Sequence, residues 1–162
     1  MNAPGFTSLS LYSQSSTHPP LEWQWVDRQL RDAGTYWIVL SGSAGSVPHP
    51  RPVWGIWQNN RLALSVGSPI VVALARSGVP VAVHLDSGTE VVVVQGTISG
   101  STSDEALIDA YNTKYDWVYD LDQFGPLTCI DPVDVIAWRS AGWAGREGFQ
   151  ETGKWRFDSP SD

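Results

Sequence analysis

This sequence has little of what disulfide-rich and metal-binding proteins depend on. Cys129 is the single cysteine, so no intramolecular disulfide can form and a cysteine-based metal site is hard to build. The three histidines, at positions 18, 49 and 84, lie far apart and form no helical pair at metal-ligand spacing. We therefore predict no metal site, and the near absence of cysteine favours a cytoplasmic protein.

Basic residues and long apolar runs are also scarce. Ten lysines and arginines stand against 17 aspartates and glutamates, which gives a formal net charge of -7 and a pI near 4.7. This charge opposes binding to nucleic acid and to anionic membrane surfaces. No window reaches the roughly 20 apolar residues of a spanning helix, and the first residues lack the basic start and apolar stretch of a signal peptide. We predict neither nucleic acid nor a membrane as a partner.

The length and composition fit one globular domain. With 162 residues, of which 42% are hydrophobic and 17% charged, the chain can bury one sizeable core but has no room for a second domain. Residues 1–20 are rich in serine, threonine and proline, which predicts a flexible N-terminal arm. Residues 21–158 are predicted to form a single domain.

Hydrophobic periodicity predicts a mainly β domain with short helices, an α+β arrangement. Strands are expected at about 36–40, 50–57, 61–66, 79–85, 90–99 and 128–139, with a short C-terminal piece at 154–157. Helices are expected at 21–31, 69–77 and 104–115, the last capped by Ser103. The glycine-rich segment 42–46 is interpreted as a hairpin tip. About six strands with helices on one rim favour a closed or split barrel over an open sheet.

The sequence contains nine tryptophans, a high number for its length, and most of them occur in close pairs. Two interpretations stay open. Tryptophan buries a large area and is enriched at interfaces, so the pairs could pack a core or a dimer interface. They could equally form a stacking wall for a planar ligand. Because side chains alternate along a strand, at most one of Trp54 and Trp57 lines any given cavity.

Residues 49–68 predict a hairpin that leads directly into a helix. Two alternating strands flank Asn59 and Asn60, residues that tolerate the positive φ of a two-residue turn. Ser68 and Pro69 then fit the N-cap and first position of a helix. A helix start presents unpaired N–H groups and the positive end of the helix dipole. The pattern therefore predicts an anion position, such as one for phosphate, near Ser68.

The order and spacing of these segments resemble the pyridoxamine 5'-phosphate oxidase-like family of flavin and deazaflavin split barrels, especially its deazaflavin-dependent actinobacterial branch. The resemblance extends over most of the chain and is carried by Arg51-Pro-Val-Trp-Gly-Ile-Trp57, Leu62 to Gly67, Leu74-Ala-Arg76, Val83-His-Leu-Asp-Ser-Gly88 and Ala110-Tyr-Asn-Thr-Lys-Tyr115. It implies a six-stranded FMN-binding-type split β-barrel and a homodimer with its sites between subunits. It also implies FMN or the deazaflavin coenzyme F-420 as cofactor.

The resemblance assigns residues to the site but no catalytic side chain, because the cofactor carries the hydride chemistry. The implied cofactor-binding residues are Arg51, Pro52, Val53 and Trp54 along the ring, and Ser65, Val66, Gly67 and Ser68 at the ribityl and phosphate end. The substrate pocket would contain Trp57, Tyr115 and Trp117. Arg51, held extended by its flanking prolines, could pair with a carbonyl or phosphate of the cofactor, or form a surface or interface ion pair.

The chain departs from the family pattern at the phosphate end. Where family members carry a basic residue and an asparagine, this sequence has Ile70 and Ala73, and no Lys, Arg, His or Asn occurs between Gly67 and Arg76. Losing one charge-assisted hydrogen bond costs on the order of 1.5–3 kcal/mol, roughly ten- to hundredfold in affinity. Arg146 or Lys154 of a partner subunit is a candidate substitute donor.

Two functions therefore stay open. The first is a flavin- or deazaflavin-dependent oxidoreductase that transfers a hydride to or from a small organic substrate as a homodimer. The second is a cofactor-free split barrel that binds an apolar small molecule or serves non-redox chemistry. The resemblance favours the first, whereas the apolar residues at the phosphate end favour the second.

Overall fold

The computed structural model describes residues 4–7, 9, 19–40, 47–140 and 149–158. In chain order its elements are β1 (Gly5–Thr7), α1 (Trp23–Asp32), β2 (Tyr36–Leu40), β3 (His49–Gln58), β4 (Arg61–Ser65), α2 (Pro69–Leu74), β5 (Pro80–His84), β6 (Glu90–Thr102), α3 (Glu105–Tyr115), α4 (Leu121–Phe124), β7 (Leu127–Ser140) and β8 (Phe149–Arg156). The predicted hairpin tip at 42–46 and the candidate donor Arg146 lie outside the described residues.

All eight described strands belong to one antiparallel sheet that closes on itself. The strand order is β1-β8-β7-β4-β3-β2-β5-β6, and β6 also pairs with β7. The six strands from β7 to β6 therefore form a closed barrel, while β8 and β1 extend the sheet beyond it. The predicted fold class, mainly β with short helices around a six-stranded split barrel, is confirmed.

Closure depends on the two longest strands, β6 and β7. Their pairing shifts register between Gln95 and Gly96 and again between Ile98 and Gly100. Such irregularities bend a strand and increase its twist. At Gly96 a β-carbon would lie 2.4 Å from the carbonyl oxygen of Asp131, so only glycine permits this close approach.

The main core fills the barrel interior. On β2 the alternate residues Tyr36, Ile38 and Leu40 are completely buried, as the period of a half-buried strand predicts. Helix α1 packs its apolar face onto the same core. A smaller cluster, made of Ile56, Ala63, Ile108, Tyr111, Tyr119 and Leu127, packs α3 against the outer face of the sheet. This outer cluster positions the segment that follows α3.

Several element boundaries differ from the sequence-based prediction. Gly5–Thr7, within the predicted flexible arm, pairs with β8, where Phe6 makes an edge contact with Trp155. Asp104, rather than Ser103, caps α3, because its carboxylate accepts a hydrogen bond from the N–H of Leu107 at 3.0 Å. Helix α2 ends at Leu74 rather than 77, and the short helix α4 was not predicted. β8 begins at Phe149, so the predicted piece at 154–157 is the end of a longer strand.

Candidate functional site

The β3–β4 hairpin forms one side of the candidate site. Asn59 and Asn60 have φ of 54° and 59°, which confirms the two-residue turn predicted from the sequence. This turn fixes the register of the hairpin, and it places Trp54 opposite Ser65 at the far end of the two strands. The residues that the resemblance assigned to the cofactor are thereby brought together from two separate stretches of sequence.

The hairpin borders a cavity of about 390 Å³, which we call the hairpin cavity. Its size falls in the range of small-molecule sites. The cavity is lined by Arg51, Pro52, Val53, Trp54, Ser65, Val66, Gly67, Ser68, Val71, Tyr111, Trp117, Tyr119 and Phe124. All the residues assigned to the cofactor therefore line one cavity, and so does Trp117 from the predicted substrate pocket.

The opposite wall comes from the chain that follows α3. Asp116 ends the helix in the left-handed conformation, with φ of 48°, and turns the chain toward the cavity. The N–H of Tyr119 then donates to the side-chain oxygen of Asn112 at 2.8 Å. Asp120 caps α4 by accepting hydrogen bonds from two backbone N–H groups. These local hydrogen bonds hold the aromatic side chains of residues 117–124 in place.

Aromatic side chains dominate the cavity. Trp54 stacks on Tyr115 with ring centroids 4.7 Å apart and an interplanar angle of 4°, and Trp117 meets Trp54 edge-on. The Tyr119 hydroxyl donates to the carbonyl oxygen of Gly125 at 3.1 Å and lies 3.3 Å from Ser65 Oγ. Burial raises the pKa of Tyr111 to about 12, so its hydroxyl is protonated at neutral pH. The site is therefore rich in flat apolar surfaces and contains neutral hydroxyl groups.

Two members of the predicted substrate pocket do not line the hairpin cavity. Trp57 is only 3% exposed, and its indole Nε1 donates to Asp27 at 2.8 Å on the other face of β3. Tyr115 lies behind Trp54, and its hydroxyl hydrogen-bonds the backbone of Gly55. The period of two along β3 separates Trp54 from Trp57, as the alternation rule requires.

Sequence reasoning missed four residues that line the cavity: Val71, Tyr111, Tyr119 and Phe124. Tyr111 could have been predicted from the sequence, because it lies four residues before the predicted pocket residue Tyr115 and therefore on the same face of α3. Tyr119 and Phe124 follow the helix in a turn whose course depends on the local hydrogen bonds. No sequence pattern indicated that this turn approaches the hairpin.

The phosphate end of the cavity is as apolar in the structure as in the sequence. Of the described residues that line the whole hairpin cavity, Arg51 alone carries a charge, and its guanidinium donates to the carbonyl oxygen of Pro50 at 2.7 Å. Ile70 is 47% exposed on α2. Ser68 is the N-cap of α2 but makes no side-chain capping hydrogen bond, and the helix has only six residues. Lys154, a candidate donor to a partner subunit, already lies 3.1 Å from Asp134 of its own chain.

Within the described part of the chain, no three or more His, Cys, Asp or Glu side chains cluster in a way that could hold a metal ion. None of the described helices is long and apolar enough to cross a membrane.

Comparisons with known proteins resolve the fold. No protein-family model matches the sequence. No curated protein matches it either. Solved structures do match at low sequence identity, among them an FAD-binding protein from Mycobacterium smegmatis, which is 17% identical with a TM-score of 0.50. That match covers 85% of this chain and 98% of the other.

Two further structures give the same result. An F420 reductase is 14% identical, and the match covers 72% of this chain and 98% of the other with a TM-score of 0.55. A protein of the pyridoxinephosphate oxidase family from Clostridium acetobutylicum is 10% identical, with coverages of 82% and 92% and a TM-score of 0.56. At these identities the likeness concerns the fold. By its strand order, its barrel closure and these matches, the chain has the split-barrel fold of the pyridoxamine 5'-phosphate oxidase-like family.

Proposed function

We propose that this chain binds a flavin-type cofactor, FMN or a deazaflavin, in the hairpin cavity and acts as an oxidoreductase on a small organic substrate. One observation carries this proposal. The residues assigned to the cofactor from sequence resemblance, which come from both β3 and the β4–α2 connection, all line the same cavity. The matching folds include an FAD-binding protein and an F420 reductase, which supports a cofactor of this type.

The cavity fits the ring of such a cofactor better than its phosphate. Trp54, Trp117 and Phe124 offer flat surfaces against which a planar ring can pack, and Ser65 and Tyr111 offer polar groups. Arg51 is the one cation among the described lining residues. A phosphate therefore needs backbone N–H groups or a donor from a second subunit, since Ile70 and Ala73 offer no charged or amide side chain.

The chemistry would be divided between cofactor and protein. A bound flavin or deazaflavin supplies the capacity for hydride transfer. The chain orients the ring between the hairpin and residues 111–124, and its aromatic walls exclude water. Tyr111, protonated at neutral pH because of its raised pKa, can donate a hydrogen bond to a ring or substrate oxygen.

We also propose that the active form is a homodimer. Three exposed apolar side chains line the hairpin cavity, Trp54, Trp117 and Phe124, and four more lie within two residues of a lining residue: Ile70, Val72, Val118 and Leu121. Such a concentration of apolar surface is typical of an interface. A second subunit here would cover the open side of the cavity and could bring a basic side chain to the phosphate.

A cofactor-free barrel is the second candidate. The apolar corner formed by Ile70, Val71, Val72 and Ala73 favours it, because these side chains offer a phosphate neither a positive charge nor a hydrogen bond. In this case the hairpin cavity would bind an apolar molecule, and the redox chemistry would be absent.

Binding experiments with a blocking variant test the proposal. Gly67 lines the cavity, and a β-carbon placed at this position has no neighbouring atom within 4 Å. Gly67→Trp should therefore fold, and its indole should fill the site. Gly34→Trp is the matched control, because Gly34 has the same free space but lies between α1 and β2, outside the lining. We expect wild type and Gly34→Trp to bind FMN or F-420 in equilibrium dialysis, and Gly67→Trp to bind at least about tenfold more weakly.

Each alternative result has a clear meaning. Equal binding by all three proteins would place the cofactor outside the hairpin cavity. A wild-type protein that binds neither cofactor at tens of micromolar would contradict the oxidoreductase and favour the cofactor-free barrel.

A further inference from the structure

A second cavity, of about 780 Å³, lies between α1, the end of β3 and α3; we call it the helix cavity. It is lined by Trp23, Asp27, Arg31, Ile56, Trp57, Gln58, Asn59, Asn60, Ala110, Thr113 and Lys114. None of these residues lines the hairpin cavity. The two cavities therefore have separate linings, and an occupant of the helix cavity would not overlap the proposed cofactor.

Lys114 is the unusual residue of the helix cavity. Its ammonium donates to the Tyr36 hydroxyl oxygen at 2.9 Å and to the Gly55 carbonyl oxygen at 3.1 Å. It also lies 4.8 Å from the ring centroid of Tyr36 and 5.3 Å from that of Tyr115. All of these partners are neutral. An ammonium has three N–H donors, so these two hydrogen bonds leave one donor for a ligand.

The charge on Lys114 is not compensated within the described chain. No carboxylate among the described residues lies within 4.0 Å of its Nζ, although the side chain is half-buried. Burial lowers the pKa of Lys114 to about 8, an effect that the more distant Asp32 carboxylate only partly offsets. At neutral pH the group is still mainly protonated and lacks a counter-ion.

The other charges of the cavity cancel each other. Asp27 and Arg31 lie one helical turn apart on α1 and form an ion pair. Asp27 also accepts a hydrogen bond from the indole Nε1 of Trp57 at 2.8 Å. The Asp27 carboxylate is therefore already satisfied, and Lys114 provides the net positive charge of the helix cavity.

Aromatic surface lies in the same cavity as this cation. The half-buried Trp23 lines the cavity, and the buried ring of Trp57 supports it edge-to-face with centroids 6.3 Å apart. Ile56 and Ala110 add apolar surface. A ligand that suits these neighbours has one negative charge and a flat apolar body.

We propose that the helix cavity is a second ligand site, which binds a monoanionic aromatic carboxylate with its carboxylate on Lys114 and its ring against Trp23. A carboxylate supplies both the missing counter-charge and an acceptor for the third N–H of the ammonium. An uncharged ligand of the same shape would leave the half-buried ammonium uncompensated.

The lysine content of the chain makes a direct test possible, because Lys114 and Lys154 are the only two lysines. Acetic anhydride modifies unprotonated amines, and mass spectrometry separates the two sites. Benzoate is the probe, and benzamide is its neutral counterpart. At about ten times its dissociation constant, benzoate should slow acetylation of Lys114 by about tenfold. It should leave Lys154 unchanged, since Lys154 lies against Asp134 elsewhere.

Calorimetry on variants then tests whether benzoate binding itself depends on Lys114. Lys114→Met should abolish benzoate binding, whereas Lys154→Met, in which Arg156 still pairs with Asp134, should keep it. If Lys114→Met does not fold, Thr113→Trp serves instead, because this exposed position lines the cavity and the larger side chain should exclude benzoate. Benzamide protection equal to that of benzoate, no protection at all, or full binding by Lys114→Met or a folded Thr113→Trp would each overturn the proposal.

Discussion

At the residue scale, the most strongly paired charge in the described chain is Asp134 on β7. The residue is 7% exposed, and its carboxylate accepts two hydrogen bonds from the Arg156 guanidinium, at 2.9 and 2.8 Å. Lys154 adds a third contact at 3.1 Å. The hydrogen bonds from Arg156, followed by those from Lys154, hold the pKa of Asp134 below its usual range. Both partners lie on β8, so this carboxylate adds a side-chain link to the backbone pairing between β7 and β8.

We expect Asp134→Asn to lower the free energy of unfolding at neutral pH by about 1–2 kcal/mol, a modest value because Arg156 is largely exposed to solvent. A carboxylate with a depressed folded-state pKa stabilises the fold above its unfolded-state pKa, and the effect is lost as the pH falls through the folded-state pKa. The difference between wild type and variant should therefore shrink below about pH 4.

Urea unfolding at several pH values measures this difference. Asp109→Asn, at an exposed position on α3, is the matched control and should cost little at any pH. A loss in Asp134→Asn that does not change with pH would show that the carboxylate charge is not the cause.

At the scale of elements, β3 separates the two cavities, and Gly55 lies at its centre. The hydroxyl of Tyr115 and the ammonium of Lys114 both donate to the carbonyl oxygen of Gly55. A β-carbon at Gly55 would lie 2.4 Å from Leu64 Cδ2 and 2.7 Å from the carbonyl oxygen of Ala63 on β4. The absence of a side chain therefore allows the hairpin strands to approach closely while α3 packs on the outer face.

Gly55→Ala should destabilise the protein by roughly 1–3 kcal/mol, because a backbone oxygen of β4 must move to make room. It should also weaken binding in the hairpin cavity, since β3 carries Arg51 to Trp54. Gly88→Ala is the control, as nothing lies within 4 Å of a β-carbon placed there. Thermal unfolding of both variants checks the prediction, which fails if the two proteins melt alike.

Local sequence patterns predict some elements correctly but not the pairing of distant strands. The Asn59-Asn60 turn and the strand over residues 36–40 are found as predicted, because turn conformation and two-residue alternation are set by neighbouring residues. The pairing of Gly5–Thr7 with β8 could not be predicted in the same way. It joins segments about as far apart in sequence as the chain allows, and neither segment encodes its partner.

At the scale of the whole molecule, several of the large apolar side chains exposed in the described chain lie in, or close in sequence to, the lining of one opening, the hairpin cavity. Val118 is the most exposed of them at 84%, and it lies between Trp117 and Tyr119, which line the hairpin cavity. If the proposed homodimer forms over this opening, Val118 lies in its interface. Association and cofactor binding should then change together.

Val118→Asp should weaken dimer formation by tenfold or more, since burying an unpaired carboxylate costs at least about 1.4 kcal/mol. Val47→Asp is the matched control, because Val47 is 75% exposed and does not line the hairpin cavity. Sedimentation equilibrium measures both variants beside the wild type. A monomeric wild-type protein, or a dimer that Val118→Asp leaves intact, would contradict the proposed interface.

The sequence by itself determined the barrel class, most of the elements and one half of the hairpin cavity. These features depend on alternation, turn residues and a pattern of segments that short stretches of chain carry. The tertiary structure decided that Tyr111, Tyr119 and Phe124 form the opposite wall, and that Trp57 faces the core. It also brought Lys114 beside Tyr36, 78 residues away in sequence, without a counter-ion. Contacts of this kind arise only when the barrel closes and α3 packs against it, because no local pattern specifies which distant side chains then become neighbours.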